Sequence, residues 1–248
     1  MTACTLLSVD LDGTLVDTAG EIAEAANRTL DDFGVPRRSV AQISRLIGMG
    51  TRELMLRLLA ELMHEEPVLV ERLRVDDVLA RLERHYGMTA GTCAVPFAGA
   101  REAMQRLAAA GVRLACVTNK ELRHARRVLE ATRLIDCFEL VVGGDSLPQK
   151  KPHASVLWHA QDAFGVQREH MAHVGDSAID VMAARAAGVR AWVVAHGYDG
   201  VQGIADARPD RRFRDLAEVA AHVLAGRIDL AAAPMPRRRA GAAQPSFG

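Results

Sequence analysis

A chain of 248 residues, 49% hydrophobic and 25% charged, carries enough apolar material for a real core, which excludes wholesale disorder and admits one large domain or a core with a smaller insert. Lysine plus arginine equals aspartate plus glutamate at 31 each, so no global field draws it to nucleic acid or anionic lipid, and a small molecule is the expected partner. No basic region followed by an apolar segment opens the sequence and no apolar run approaches the about 18 residues that cross a bilayer, so the expectation is no membrane and a cytoplasmic location.

In chain order, the first apolar run, residues 5–9, reads as a buried parallel strand and ends in "DLDGT", which sets Asp10 and Asp12 one residue apart. Carboxylates that close repel and raise each other's pKa unless something positive sits between them. From 18 to 93 no strand is expected. Ile22, Ala26, Leu30 and Phe33 repeat at helical spacing, "SVAQ" from Ser39 has the form of a capping box, and helices are expected over 51–63 and 68–86. This span is read as an all-helical cap whose ends bracket the DLDGT loop, a lid over the acids. Within it, "LIGMGTREL" sets two glycines before a helix start. Two readings stand: an anion-facing turn that lets Arg52 meet a substrate carboxylate, or a plain interhelix turn.

After the cap, strands are expected at 112–117, 139–142, 171–174 and 191–195, with helices at 100–110, 121–132 and 179–187. Alternating helix and strand argues for an α/β fold: a doubly wound, parallel, five-stranded Rossmann-like core, here residues 1–17 and 94–230. Cys4, Cys93, Cys116 and Cys137 lie far apart with no C-x-x-C pair and are read as reduced thiols. Residues 231–248, Ala, Pro, Arg and Gly with almost nothing to bury, are expected to be a disordered tail.

In an open parallel sheet, ligands bind beyond the carboxyl ends of the strands. Asp10 and Asp12 close the first strand, Thr118 and Asn119 the second, "HVGDSAID" puts Asp176 after the fourth with Asp180 one helical turn on, and Lys151 precedes Pro152. Period-two geometry lets Asp10 and Asp12 face one point. Hard oxygen ligands suit Mg²⁺, which takes one or two carboxylates and a substrate phosphate, here Asp10 and Asp176 with a backbone carbonyl. The set suits phosphoryl transfer: Asp10 attacks phosphorus, Asp12 protonates the leaving oxygen and later activates water, and Lys151 offsets the repulsion between anions. Thr118 and the amides around Asn119 and Gly13 hold the phosphoryl oxygens. Asp180 is a second ligand, a group that fixes ligands, or a helix-start acid. His173 reads as a satisfied interior or edge side chain, and His196 lies near the site by position.

Together and in order, "DLDGTLVDT", "VTNK", "KKP" and "GDSAIDVMAARAAG" resemble the four motifs of the haloacid dehalogenase superfamily of phosphatases, and the insert after the first motif looks like its phosphoglycolate phosphatase branch. The resemblance runs from about 5 to 225. It implies Asp10 as nucleophile, Asp12 as acid/base whose backbone carbonyl also binds metal, Thr118 as the phosphate-binding hydroxyl, Lys151 as the motif lysine and Asp176 as a metal ligand, with Mg²⁺ as the usual ion. The family often writes K-P-x-P where this chain has Lys151-Pro152-His153-Ala154, and Lys150 is a second candidate lysine. The expected substrate is a small phosphorylated metabolite, 2-phosphoglycolate first. Alternatives are a sugar phosphate, pyrophosphate or a mutase reaction, or a non-catalytic protein that binds a phosphometabolite. Asp12 argues against dehalogenase and phosphonate-cleaving chemistry, whose leaving groups need no acid there.

Overall fold

The computed structural model describes residues 3–65, 67–70, 72–198, 204 and 206–231. The tail expected at 231–248 lies outside them except for Ala231. Strand β1 (Leu6–Val9) leads through a short β2 (Val16–Asp17) into five helices: α1 (Ala19–Asp32), α2 (Val40–Ser44), α3 (Thr51–Glu65), α4 (Pro67–Val70) and α5 (Val75–Thr89). There follow β3 (Val95–Pro96), α6 (Ala100–Ala109), β4 (Arg113–Val117), α7 (Leu122–Ala131), β5 (Leu140–Val142), α8 (Ser155–Phe164), β6 (Met171–Gly175), α9 (Ala178–Ala187), β7 (Arg190–Val194), β8 (Arg211–Phe213) and a closing helix, Leu216–Ala231.

The main sheet has the order β5-β4-β1-β6-β7-β8, and every pairing in it is parallel. Successive side chains go to opposite faces, and both faces are apolar, as a doubly covered parallel sheet requires. Leu7, Val9, Leu114, Cys116 and Val174 enter one layer with Met104 and Leu107 of α6 and Val219 of the closing helix. Leu6, Ala115, Val117 and Met171 enter the other with Leu157 of α8 and Val181 of α9. All five expected strands are present. The sixth, β8, was not expected: two of its three residues are exposed arginines, and only Phe213 is buried. Such charges suit a sheet edge but leave no hydrophobic pattern to read.

Register places the site. Val9 lies opposite both Cys116 and Val174, so β1, β4 and β6 end level and deliver Asp10, Thr118 and Asp176 to one edge.

The helices α1–α5 build an apolar cluster of their own around Ile22, Leu30, Met55, Leu58 and Tyr86. Their two connections to the sheet pair as an antiparallel ribbon, Val16 with Pro96 and Asp17 with Val95. The capping box at Ser39 is present, with Gln42 answering the Ser39 backbone. The single helix expected over 68–86 is instead α4 and α5. Asp76 and Asp77 fall in the first turn of α5, where acids favour a new helix start. None of the four cysteines is joined in a disulfide. Among the described residues, no helix is long and apolar enough to cross a membrane.

Candidate active site

Asp10 and Asp12 are each gripped by one carboxylate oxygen. Oδ1 of Asp10 accepts from the Leu11 amide at 2.7 Å and pairs with Lys151 Nζ at 2.9 Å. Oδ1 of Asp12 accepts from the Thr18 hydroxyl and from Lys120 Nζ, both at 2.6 Å. Among the described residues, no hydrogen bond ends on Oδ2 of either acid, so each keeps one oxygen for a ligand. Gly13, between them and Thr14, has φ +80°, and a Cβ there would stand 2.4 Å from Asp176 Oδ2. Only glycine lets the loop close on that acid.

Asp176 accepts from the Thr14 hydroxyl at 2.9 Å and from the Tyr198 amide at 2.8 Å. Asp180 is used fully by the protein: Lys151 Nζ at 2.7 Å and His173 Nε2 at 3.1 Å meet Oδ1, and Ser177 supplies its amide and hydroxyl to Oδ2. It also closes the capping box that starts α9. His173 is fully buried between Asp180 and Ser8, whose hydroxyl lies 2.9 Å from Nδ1. A neutral ring donating from Nε2 and accepting at Nδ1 fits both partners, and burial lowers its pKa in the same sense.

Burial governs the electrostatics. It pushes the pKa of Asp10 up to about 6, with Lys151 pulling the other way, and holds Asp176 well above the carboxylate range, aided by the charges of Asp180 and Asp10. Burial also works against the Lys151 ammonium and the Asp180 carboxylate, but the charges of Asp10 and Asp180 raise Lys151, and Lys151 with His173 lowers Asp180. Oxygens of Asp10, Asp176 and Asp180 lie within 4.8 Å of one another, and one ammonium, Lys151, contacts the group. Three carboxyl groups against one ammonium gather hard oxygen donors in a buried place, where a nearby cation would favour the ionised forms that burial disfavours. That donor set fits a divalent cation such as Mg²⁺.

Beside these acids is a cavity of ≈ 20 Å³, room for little more than a water. Asp10, Asp12, Thr118 and Lys120 line it from the core, and Gly48, Thr51 and Leu54 from the cap. Arg52, expected near a substrate carboxylate, is exposed and absent from the lining. The glycine turn before it offers acceptors rather than donors: the Gly48 carbonyl takes a bond from Asn119 Nδ2 and the Met49 carbonyl one from Lys150 Nζ, at 2.9 and 2.6 Å. Asn119 Nδ2 also reaches the Lys151 carbonyl, and the Gly13 amide is committed to the Val16 carbonyl. His196 turns away from the cavity, with Nε2 2.9 Å from the Thr14 carbonyl and its ring against Phe97.

The model of the haloacid dehalogenase-like hydrolase family matches residues 9–194, three quarters of the chain. This chain belongs to that family. It is 39% identical over 229 residues to a plasmid-encoded phosphoglycolate phosphatase of Cupriavidus necator, covering 92% of this chain and 97% of that one. It is 41% identical over 195 residues to a phosphoglycolate phosphatase of Nitrosospira multiformis, covering 77% and 83%. The crystal structure of a predicted phosphoglycolate phosphatase from Haemophilus somnus superposes with a TM-score of 0.81 at 30% identity, over 90% of this chain and 99% of that one.

For this haloacid dehalogenase-like hydrolase, sequence reasoning missed four residues that the fold brings to the acids: Thr14, Thr18 and Lys120 by their side chains and Tyr198 by its backbone amide. Lys120 stands in the quoted "VTNK" and Tyr198 in "AHGYDG", where the histidine drew the attention. Lys120 meets Asp12 from 108 residues away, and the Tyr198 hydroxyl meets Thr18 from 180, beyond any local pattern.

Proposed function

We propose that the chain is a phosphatase of small phosphate monoesters working through an aspartyl-phosphate on Asp10, with 2-phosphoglycolate as its leading substrate. The observation that carries this reading is the pair of half-gripped acids at the end of β1, each with one oxygen held and one open.

In the first step Oδ2 of Asp10 bonds to phosphorus while the bond from phosphorus to the ester oxygen breaks, and Asp12 gives its proton to the departing alcohol. In the second, water attacks phosphorus, its proton passes to Asp12, and the bond to Asp10 breaks to release phosphate. Lys151 keeps Asp10 in place and shields the approaching anion. The Thr118 hydroxyl, buried in the cavity lining, is free to donate to a phosphoryl oxygen. Mg²⁺, held by Asp10, Asp176 and the Asp12 backbone carbonyl, would supply the remaining positive charge to the phosphoryl group.

The choice of substrate is supported by the relatives named phosphoglycolate phosphatase, and the closely set core and cap walls favour a short ester over a bulky one. A cytoplasmic location belongs to this reading.

The test is a screen of phosphorylated metabolites by kcat/KM with Mg²⁺ and with EDTA, joined to borohydride reduction of quenched enzyme. The expected results are preference for 2-phosphoglycolate, loss of turnover in EDTA and homoserine at position 10 by mass spectrometry. Preference for hexose phosphates, pyrophosphate or nucleotides overturns the substrate. Turnover without any modified residue 10 overturns the covalent step.

A further inference from the structure

Helix α1 begins the cap, and its start is capped from elsewhere. Thr18 sits at the N-cap, yet its side chain makes no capping bond, because its hydroxyl is spent on Asp12. A helix leaves its first amides without intrahelical acceptors, and an N-cap residue normally answers them. Here the Tyr198 hydroxyl accepts from the Thr18 amide at 2.7 Å and, shared with Asp17 Oδ1, from the Ala19 amide at 3.1 Å, and it donates to Asp17 Oδ1 at 2.8 Å. The same residue reaches the opposite side of the site, where its backbone amide donates to Asp176 Oδ2 at 2.8 Å. Its ring lies against the DLDGT loop, since a Cβ on Gly13 would meet Tyr198 Cδ2 at 2.9 Å.

We propose that Tyr198 is a positioning residue that locks the hinge of the cap to the acids. By fixing the start of α1 at the Thr18 and Ala19 amides, it holds Thr18 where its hydroxyl grips Asp12 Oδ1, and so orients Asp12 Oδ2 for proton transfer. The catalytic half of the inference rests on the function proposed above. The capping half rests on geometry alone.

Tyr198→Phe tests it, keeping the ring and the backbone amide and deleting only the hydroxyl. Loss of a cap is typically worth about fivefold in a local opening equilibrium, so amide hydrogen exchange at Thr18 and Ala19 is expected to quicken on the order of fivefold while the rest of α1 is unchanged. An ester with a poor leaving group needs the proton from Asp12, and p-nitrophenyl phosphate hardly does. In the variant, kcat/KM should therefore fall on the order of tenfold for 2-phosphoglycolate and by less than about twofold for p-nitrophenyl phosphate. Unchanged exchange at both amides overturns the proposal. Faster exchange with an equal fall for both esters overturns the link to Asp12. A wild-type chain that hydrolyses neither ester sinks the phosphatase reading, and the exchange rates then decide the capping by themselves.

Discussion

The two walls of the cavity are held by different forces. On the core wall, Asp10, Asp12, Thr118 and Lys120 are charged or hydroxylic and buried or nearly so, and each acid is gripped at one oxygen. On the cap wall, Ile22, Ile47 and Leu54 are apolar, and the glycine turn shows carbonyls to the core. Unpaired charge is costly in such a place, so the core wall has to be pre-assembled by the sheet, whose level strand ends do that. Apolar contacts tolerate repacking, so the cap wall is free to set size and shape. Chemistry and selection are therefore separable by mutation.

The sharpest break is at Asp10. Asp10→Asn removes the open oxygen anion and is expected to cut kcat by at least about 10³-fold. Since burial already disfavours the Asp10 charge, the same variant should melt higher than wild type in EDTA. Loss of activity together with a lower melting temperature would mean that the acid is structural.

Lys151→Met probes the same wall from its cation. With the ammonium gone, Asp10 and Asp180 remain buried without their shared partner, a loss of about 3–5 kcal/mol in stability. Adding Asp180→Asn should recover part of that stability and none of the turnover. Urea unfolding of the single and double variants separates the two effects.

On the cap wall the expected signature is different. Leu54 is 2% exposed, in the cap cluster and in the cavity lining. Leu54→Ala should cost about 2–5 kcal/mol, and raise kcat/KM for bulkier phosphate esters several-fold relative to 2-phosphoglycolate. An equal change for all esters would show that the cap does not select.

The two walls also differed in how far the sequence announced them. The core wall was readable because β1, β4 and β6 are short, mainly apolar strands whose last residues are followed at once by Asp10, Thr118 and Asp176. A period of two and a parallel sheet then put those residues on one edge. The grip on the acids was not readable, since Lys120 comes to Asp12 only through the pairing of β4 with β1, and Thr18 only through the turn that leads into α1. On the cap wall, spacing alone singled out Arg52, but backbone direction decides what a turn presents. With Gly48 at φ +132° and Gly50 at φ +86°, the turn aims carbonyls at Asn119 and Lys150. β8 escaped notice because Arg211 and Arg212 carry no apolar signal.

The smallest effect lies where the walls join. Glu21 on α1 is fully buried, accepts from the Gly91 amide at 2.8 Å and has its pKa pushed from 4.5 up to about 7 by burial, against the pull of Lys120. Its sign follows from linkage: between pH 4.5 and 7 the folded chain keeps a proton that the unfolded chain has released, so stability from this group is present below 4.5 and lost as pH rises through 7. Glu21→Gln has no proton to lose. Its melting temperature should match that of wild type near pH 4.5 and exceed it above pH 7 by several degrees, at about 2–4 °C for each kcal/mol in a chain of this size. A gap between the two that stays constant from pH 4.5 to 8 would show that Glu21 is ionised throughout and that Lys120 serves it as well as Asp12.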